Sequence, residues 1–269
     1  MEFNILPMPG SSRQWRLMLV PPRAGAENMA RDAALMERAR ETGETVFSVY
    51  AWNRPTLSLG RNQAARDRYD LDEAARLGID IVRRPTGGRA LLHWREVTYS
   101  VTAPVSDGDG LRESYDQINH ILLDGLLKLG VDAAQATVTS RTPVPGDLPC
   151  FAEPAAGELV SNGAKLVGSA QIRENGAMLQ HGSILIHDDQ HLIPTLLRNK
   201  VLENETPRAA TLNEALGRDP TCEAVADALF AAVRALEDSR ATTMDESEVA
   251  DLTAKHLPHF ENPLWTWRK

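Results

Sequence analysis

Two Asn-Gly pairs, Asn162-Gly163 and Asn175-Gly176, each separate short runs rich in apolar residues. A two-residue type I′ hairpin turn needs positive φ at both central positions, which Asn-Gly meets at low steric cost. The spacing therefore predicts an antiparallel meander. "GELV" (157–160) turns into "KLVGSAQI" (165–172), which turns into "AMLQHGSILI" (177–186).

The rest of the chain mixes strand and helix patterns. "TVFSVYAW" and "TLSLGRN" read as strands joined by a turn at Asn53-Arg54-Pro55. "IDIVRRP" and "EVTYSVTAPV" read as two more, flanking the loop "TGGRALLHWR". Residues 26–41 predict a helix, with Met29, Ala33, Met36 and Arg40 sharing a face. A second helix is predicted from Ser114 to Leu129, with Ser114 and Gln117 as a capping box and Gly130 as its stop. A third, over 222–238, places Cys222, Val225, Leu229, Val233 and Leu236 on one side. Residues 141–157 hold four prolines and two glycines and predict an irregular loop. The fold class is α+β, a mixed β-sheet core flanked by helices with a C-terminal helical segment.

The chain has 269 residues, 42% hydrophobic and 25% charged, which suits a packed core. A formal net charge of −8 argues against a general nucleic-acid binder. Two cysteines make no disulfide framework and fit a reducing cytoplasm. "WRLMLVPP" is too short for a signal-peptide core and is cut by prolines, and no run approaches transmembrane length.

Four groups of residues have chemical potential. In "RRPTGGRALLH" (83–93), adjacent glycines expose backbone amides beside Arg83, Arg84 and Arg89, a setting for a phosphate, a carboxylate or an acidic partner. The same pattern also fits a hairpin loop with solvated arginines. Cys150 lies in the proline-rich loop, off any apolar periodic face, whereas Cys222 lies on the core stripe of a helix and is assigned to packing. Lys165 follows an Asn-Gly turn, where lysines are ordinarily solvated. Near a thiol, its ammonium would favour the thiolate over the thiol, whose ordinary pKa is about 8.5. Finally, pairing of "GSAQ" with "QHGS" would bring Ser169, Gln171, His181 and Ser183 to one region, unless they are ordinary sheet surface.

In combination these segments resemble the lipoyl/octanoyl transferase and lipoate ligase family. "RRPTGGRALLH" is similar to its Arg-Arg-x-Thr-Gly-Gly-x-Ala-x-x-His signature, and "GAKLVGSAQ" and "LQHGSILI" to its Gly-x-Lys and Gln-His-Gly-Ser segments. "ENMARDAAL" is similar to its first-helix pattern. Three positions depart from the pattern: Ala156-Gly157, Ala164 before the lysine, and Trp94 after His93. The resemblance implies a biotin/lipoate protein ligase-like catalytic domain over residues 1–200, with 201–269 a helical segment packed on it. It implies substrate-binding positions at Arg83, Arg84, Thr86, Gly87, Gly88, Arg89 and His93. It implies a second set at Gly168, Ser169, Ala170, Gln171, His181, Gly182 and Ser183.

A cysteine at the "PCF" position is similar to the octanoyltransferase branch, in which the matching cysteine takes the acyl group and the matching lysine assists. The implied reaction moves octanoyl from octanoyl-acyl carrier protein to a lysine of a lipoyl domain, with Cys150 as nucleophile and Lys165 as its partner. The acceptor would be a lipoyl protein such as the glycine cleavage H protein or a 2-oxoacid dehydrogenase E2 subunit. No cofactor is expected beyond the phosphopantetheine of the carrier protein, and no metal, nucleic acid or membrane partner. Val82, Leu166 and Val167 are possible walls of an apolar slot. The alternatives are an ATP-dependent lipoate–protein ligase, an amidotransferase between lipoyl proteins, and a non-catalytic binder of acylated partners.

Overall fold

A computed structural model describes residues 14–106, 110–136, 151, 157–199 and 208–269. In chain order its elements begin with β1 (Trp15–Arg23), α1 (Gly25–Thr42), β2 (Thr45–Trp52), β3 (Thr56–Leu59), α2 (Leu71–Arg76) and β4 (Asp80–Arg83). Next come β5 (Leu91–His93), β6 (Glu96–Pro104), α3 (Leu111–Leu129), β7 (Ala134–Gln135), β8 (Leu159–Ser161) and β9 (Ala164–Lys165). The meander strands β10 (Val167–Glu174) and β11 (Ala177–Leu185) precede α4 (Leu212–Leu216), α5 (Cys222–Leu236), β12 (Thr242–Thr243), α6 (Ala250–Glu261) and α7 (Pro263–Thr266).

A six-stranded mixed sheet, ordered β10-β11-β6-β2-β1-β12, forms the centre. Strands β1 and β2 run parallel, connected through α1, while β2, β6, β11 and β10 pair antiparallel. Alternation along these strands divides the core in two. Leu17, Phe47, Val49, Val97, Tyr99 and Val101 face α3 and α5, with Ile121, Leu122, Val225 and Leu229. Met18, Val20, Val46, Tyr50 and Trp52 face the other way, with Met29, Ala30 and Leu35 of α1 and Phe260 of α6. His181 and Ser183 alternate with Gly182 and Ile184 on β11, which turns both toward the α1 side. A small second sheet, β4-β3-β5, carries the Thr-Gly-Gly loop between β4 and β5.

The two Asn-Gly turns form as the sequence demands. Asn162 and Gly163 have φ of 49° and 77°, and Asn175 and Gly176 have 51° and 79°. The first hairpin, β8–β9, belongs to a separate three-stranded sheet, so the expected continuous strand from Lys165 breaks at Leu166. That break sets Lys165 at the junction of two sheets.

Other expectations are corrected. β2 and β3 lie in different sheets, so Asn53-Arg54-Pro55 carries the chain between sheets without forming a hairpin. The second helix starts at Leu111 with Gly110 as N-cap; Ser114 is inside it, and Gln117 donates to Glu237. Arg40 and Leu236 are exposed at helix ends. "WRLMLVPP" is most of β1. The C-terminal segment also adds a strand, β12, to the sheet edge. Among the described residues, no helix is long and apolar enough to cross a membrane.

Candidate active site

The loop after β4 depends on two adjacent arginines with opposite duties. Arg83 is fully buried, and its guanidinium donates to the carbonyls of Gly60 (2.5 Å), Gln63 (2.9 Å) and Thr266 (2.8 Å). Burial pushes its pKa down to about 10, which still leaves it charged at neutral pH. It therefore clamps the C-terminal segment to the back of the loop, and its expected role as a ligand-facing arginine is corrected. Arg84 donates to the Ser58 hydroxyl (3.0 Å) and to the carbonyls of Gly87 and Arg89 (2.8 and 2.7 Å), folding the loop around its own head group. Gly88 adopts φ +97°, and a Cβ on Gly60 would lie 2.0 Å from the Gly88 carbonyl oxygen. Only glycines allow this approach.

In front of the loop lies a cavity that opens to solvent, with about 440 Å³ of empty space when the open mouth is included. Its apolar walls are Met29 of α1, Tyr50 and Trp52 of β2, and Leu91 of β5. Arg84, Gly88, His93, Gly168, Ser169, Ala170, His181, Gly182 and Ser183 also line it, so nine of the expected site residues converge on one space. Gly182 permits close strand pairing, since a Cβ there would sit 2.5 Å from the Gly168 carbonyl oxygen. Thr86 is buried behind the cavity wall, Gly87 faces open space, Arg89 is half-buried, and Gln171 sits along β10 with its amide 3.4 Å from Gln180. Val82, Leu166 and Val167 pack into the cores and are not walls of the cavity.

Two buried carboxylates gather the polar hydrogens of the cavity's rings. Glu96 Oε1 accepts from Trp52 Nε1 (3.1 Å) and the Thr98 hydroxyl (2.5 Å), and lies 2.8 Å from His93 Nδ1. His93 Nε2 lies 2.8 Å from Ser58 Oγ, and the ring stacks on Trp52 at 4.0 Å. Burial pushes the His93 pKa down, so its neutral form is favoured. On the opposite wall, Asp32 Oδ2 accepts from the Tyr50 hydroxyl (3.0 Å) and lies 2.8 Å from His181 Nδ1. Burial pushes the Tyr50 pKa well up, keeping it a donor. The rings thus direct their polar edges into the protein, leaving much of the cavity surface apolar.

Lys165 is buried, not a solvated turn residue. Its ammonium donates to Glu158 Oε1 at 2.8 Å and lies 5.4 Å from the centre of the Phe151 ring. Phe151 also packs with Leu91 and Leu185, and a Cβ on Gly168 would meet its ring at 2.9 Å. Cys150 lies outside the described residues. Cys222, at the first turn of α5, packs partly buried against the core, and burial pushes its thiol up to about 11.

The model of the lipoyl protein ligase A/B catalytic domain matches residues 24–234. The chain belongs to that family. It is 38% identical to the octanoyltransferase LipM of Kyrpidia tusciae, over 95% of this chain and 99% of that one. It is 39% identical to the octanoyltransferase LipM of Symbiobacterium thermophilum, over 81% and 84%. Among solved structures, lipoate-protein ligase A bound with ATP superposes with a TM-score of 0.74 at 23% identity, covering 94% of this chain and 98% of that chain. A bipartite lipoate protein ligase of Thermoplasma acidophilum, described with its E2 lipoyl domain, gives 0.73 at 22% identity, over 95% and 96%. These two likenesses establish the fold.

Sequence reasoning missed Met29, Tyr50, Trp52, Leu91, Asp32, Glu96, Glu158 and Phe151. One signal was available for Asp32: a carboxylate between Ala30 and Ala34 on a helix face that also carries Met29 and Met36.

Proposed function

We propose that this enzyme, an octanoyltransferase, moves octanoyl from octanoyl-acyl carrier protein to a lysine of a lipoyl domain through a thioester on Cys150. The sulfur of Cys150 attacks the donor's carbonyl, the phosphopantetheine thiol leaves with a proton, and the octanoyl group remains on Cys150. The acceptor lysine amine then attacks that carbonyl, the amide forms, and the Cys150 thiol is regenerated. The first step exchanges one thioester for another and the second runs downhill to an amide, so no nucleotide is consumed. Lys165 supports the thiolate by charge and exchanges a proton with the incoming amine.

One observation carries this reading: Phe151, joined to Cys150 by a single peptide bond, packs against the Lys165 ammonium and against Gly168 of the cavity wall. The apolar cavity supports an unbranched acyl ligand, since burying roughly six methylenes is worth about 5 kcal/mol at ~0.8 kcal/mol each. The names of these two relatives support octanoyl as that acyl group. The lipoyl-domain acceptor is supported by the partner named with the Thermoplasma ligase. The Arg84-braced glycine loop borders the same cavity, where Gly88 lines the wall and half-buried Arg89 follows it, a setting that suits the phosphopantetheine phosphate.

The test is transfer from octanoyl-acyl carrier protein to a purified lipoyl domain with no nucleotide present. Wild type should octanoylate one lysine, and Cys150→Ala should not. A strict requirement for ATP would replace this reading with ligase chemistry.

A further inference from the structure

We infer that Asp32 is a positioning residue: through His181 its carboxylate anchors Thr86, and with it the Gly87-Gly88 loop, against the acyl cavity. Its bearing on catalysis rests on the reaction proposed above. Asp32 is fully buried on α1 beneath β11. A carboxylate only accepts, so the His181 nitrogen 2.8 Å away, Nδ1, carries the hydrogen. In the neutral ring Nε2 is then an acceptor, and it takes the Thr86 hydroxyl hydrogen at 2.6 Å. On its other side, the Thr86 carbonyl accepts from the Arg61 amide at 2.8 Å. Thr86 is thus held at both its side chain and its backbone, one residue before the glycine pair.

The order acid–imidazole–hydroxyl is that of a hydrolytic triad, but Thr86 is 0% exposed and is not part of the cavity wall. Its hydroxyl is an anchor, whereas the His181 ring itself lines the cavity. The Asp32 side chain carries a cost that packing alone would not retain. Its second oxygen, Oδ1, is buried without a hydrogen-bond partner among the described residues. A leucine would fill the space without the unpaired Oδ1, but it would strand the buried Tyr50 hydroxyl and leave His181 free to flip its tautomer.

The experiment combines nitrogen-15 NMR of the histidine rings with transfer kinetics on the full chain. Wild type should show His181 as the Nδ1–H tautomer. Asp32→Leu should populate the Nε2–H form and lower kcat/KM about 10- to 100-fold, the range typical of lost orienting partners. Asp32→Asn, which restores an acceptor oxygen, should restore the tautomer and part of the rate. Thr86→Val should lose a similar factor, and the double variant Asp32→Leu/Thr86→Val should fall no further than the worse single one. If Asp32→Leu does not fold, the wild-type tautomer and the Asp32→Asn and Thr86→Val rates decide. An Nε2–H tautomer in wild type, or losses that multiply in the double variant, would overturn the inference. Absence of octanoyl transfer by wild type would end the proposed reaction instead, leaving the tautomer to judge Asp32.

Discussion

Arg83 and Arg84 stand side by side at the end of one strand and have different fates. The alternation of a β-strand sends neighbouring side chains to opposite faces. Arg83 goes into the protein, where three carbonyls from residues 60, 63 and 266 surround its charge. Arg84 goes to the cavity side and holds the loop of which it is part. The same residue type therefore joins distant segments at one position and shapes a binding surface at the next. A motif of two arginines cannot be read as two ligand contacts.

The largest expected effect comes where the two arginines' territories meet. Gly60 gives its carbonyl to Arg83 and lies against the Gly88 carbonyl of the Arg84 loop. Gly60→Ala must push that loop aside, because backbone at 2.0 Å cannot yield cheaply. Transfer should become undetectable in the lipoyl-domain assay while circular dichroism still reports a folded protein. Arg83→Met comes next. It strands the Gln63 and Thr266 carbonyls at about 1–3 kcal/mol each, a total of at least about 2 kcal/mol, while the Gly60 carbonyl keeps the Gln63 amide. Thermal unfolding should show Tm lowered by at least about 4–8 °C, with KM of the surviving folded protein nearly unchanged. Arg84→Met should invert that pattern: kcat/KM falls about tenfold, worth about 1.4 kcal/mol, with a smaller loss in Tm, because the Gly87 and Arg89 carbonyls it frees lie on a partly exposed loop and can take water. If both variants changed Tm and KM alike, the division of labour would be wrong.

The smallest effect is on pH. The folded-state pKa of His93 lies below its ordinary value of about 6.5, so the unfolded chain binds the proton more readily. Stability from this group is full above about pH 6.5 and falls as pH drops through that value toward the lower folded one. Protonation would also turn His93 Nε2 into a donor toward Ser58 Oγ, the hydroxyl that Arg84 uses. Urea titrations at pH 5 and pH 7 should show a loss for wild type that is reduced in His93→Gln. An equal loss in both would remove His93 from this account.

The features legible in sequence were those set by local stereochemistry. Asn162-Gly163 and Asn175-Gly176 fold as read because positive φ is a property of the dipeptide itself, and Gly130 stops its helix with φ +96° for the same reason. The paired "GSAQ" and "QHGS" segments were legible because the second turn fixes their register, setting Ser169 opposite Gly182 and Ala170 opposite His181. The cavity walls were not legible, since Met29, Tyr50 and Leu91 meet only after α1, β2 and β5 have packed. Ser114 failed as a cap because Gly110 and a buried helix face outweighed one capping pattern. The burial of Lys165 was not legible either: a residue after an Asn-Gly turn is ordinarily solvated, and only tertiary packing with Glu158 and Phe151 takes it inside.

The most direct test of a cysteine relay is to mix octanoyl-acyl carrier protein with the wild-type enzyme, without acceptor or nucleotide, and map the acylated peptide by mass spectrometry. The two thiols supply an internal control, because at pH 8 a thiol with pKa about 11 is only about one part in a thousand thiolate. The account predicts one octanoyl group on the peptide containing Cys150, released by hydroxylamine, with Cys222 unmodified. An enzyme that completes transfer while never holding octanoyl on Cys150, or that still transfers at the wild-type rate as Cys150→Ala, would contradict it.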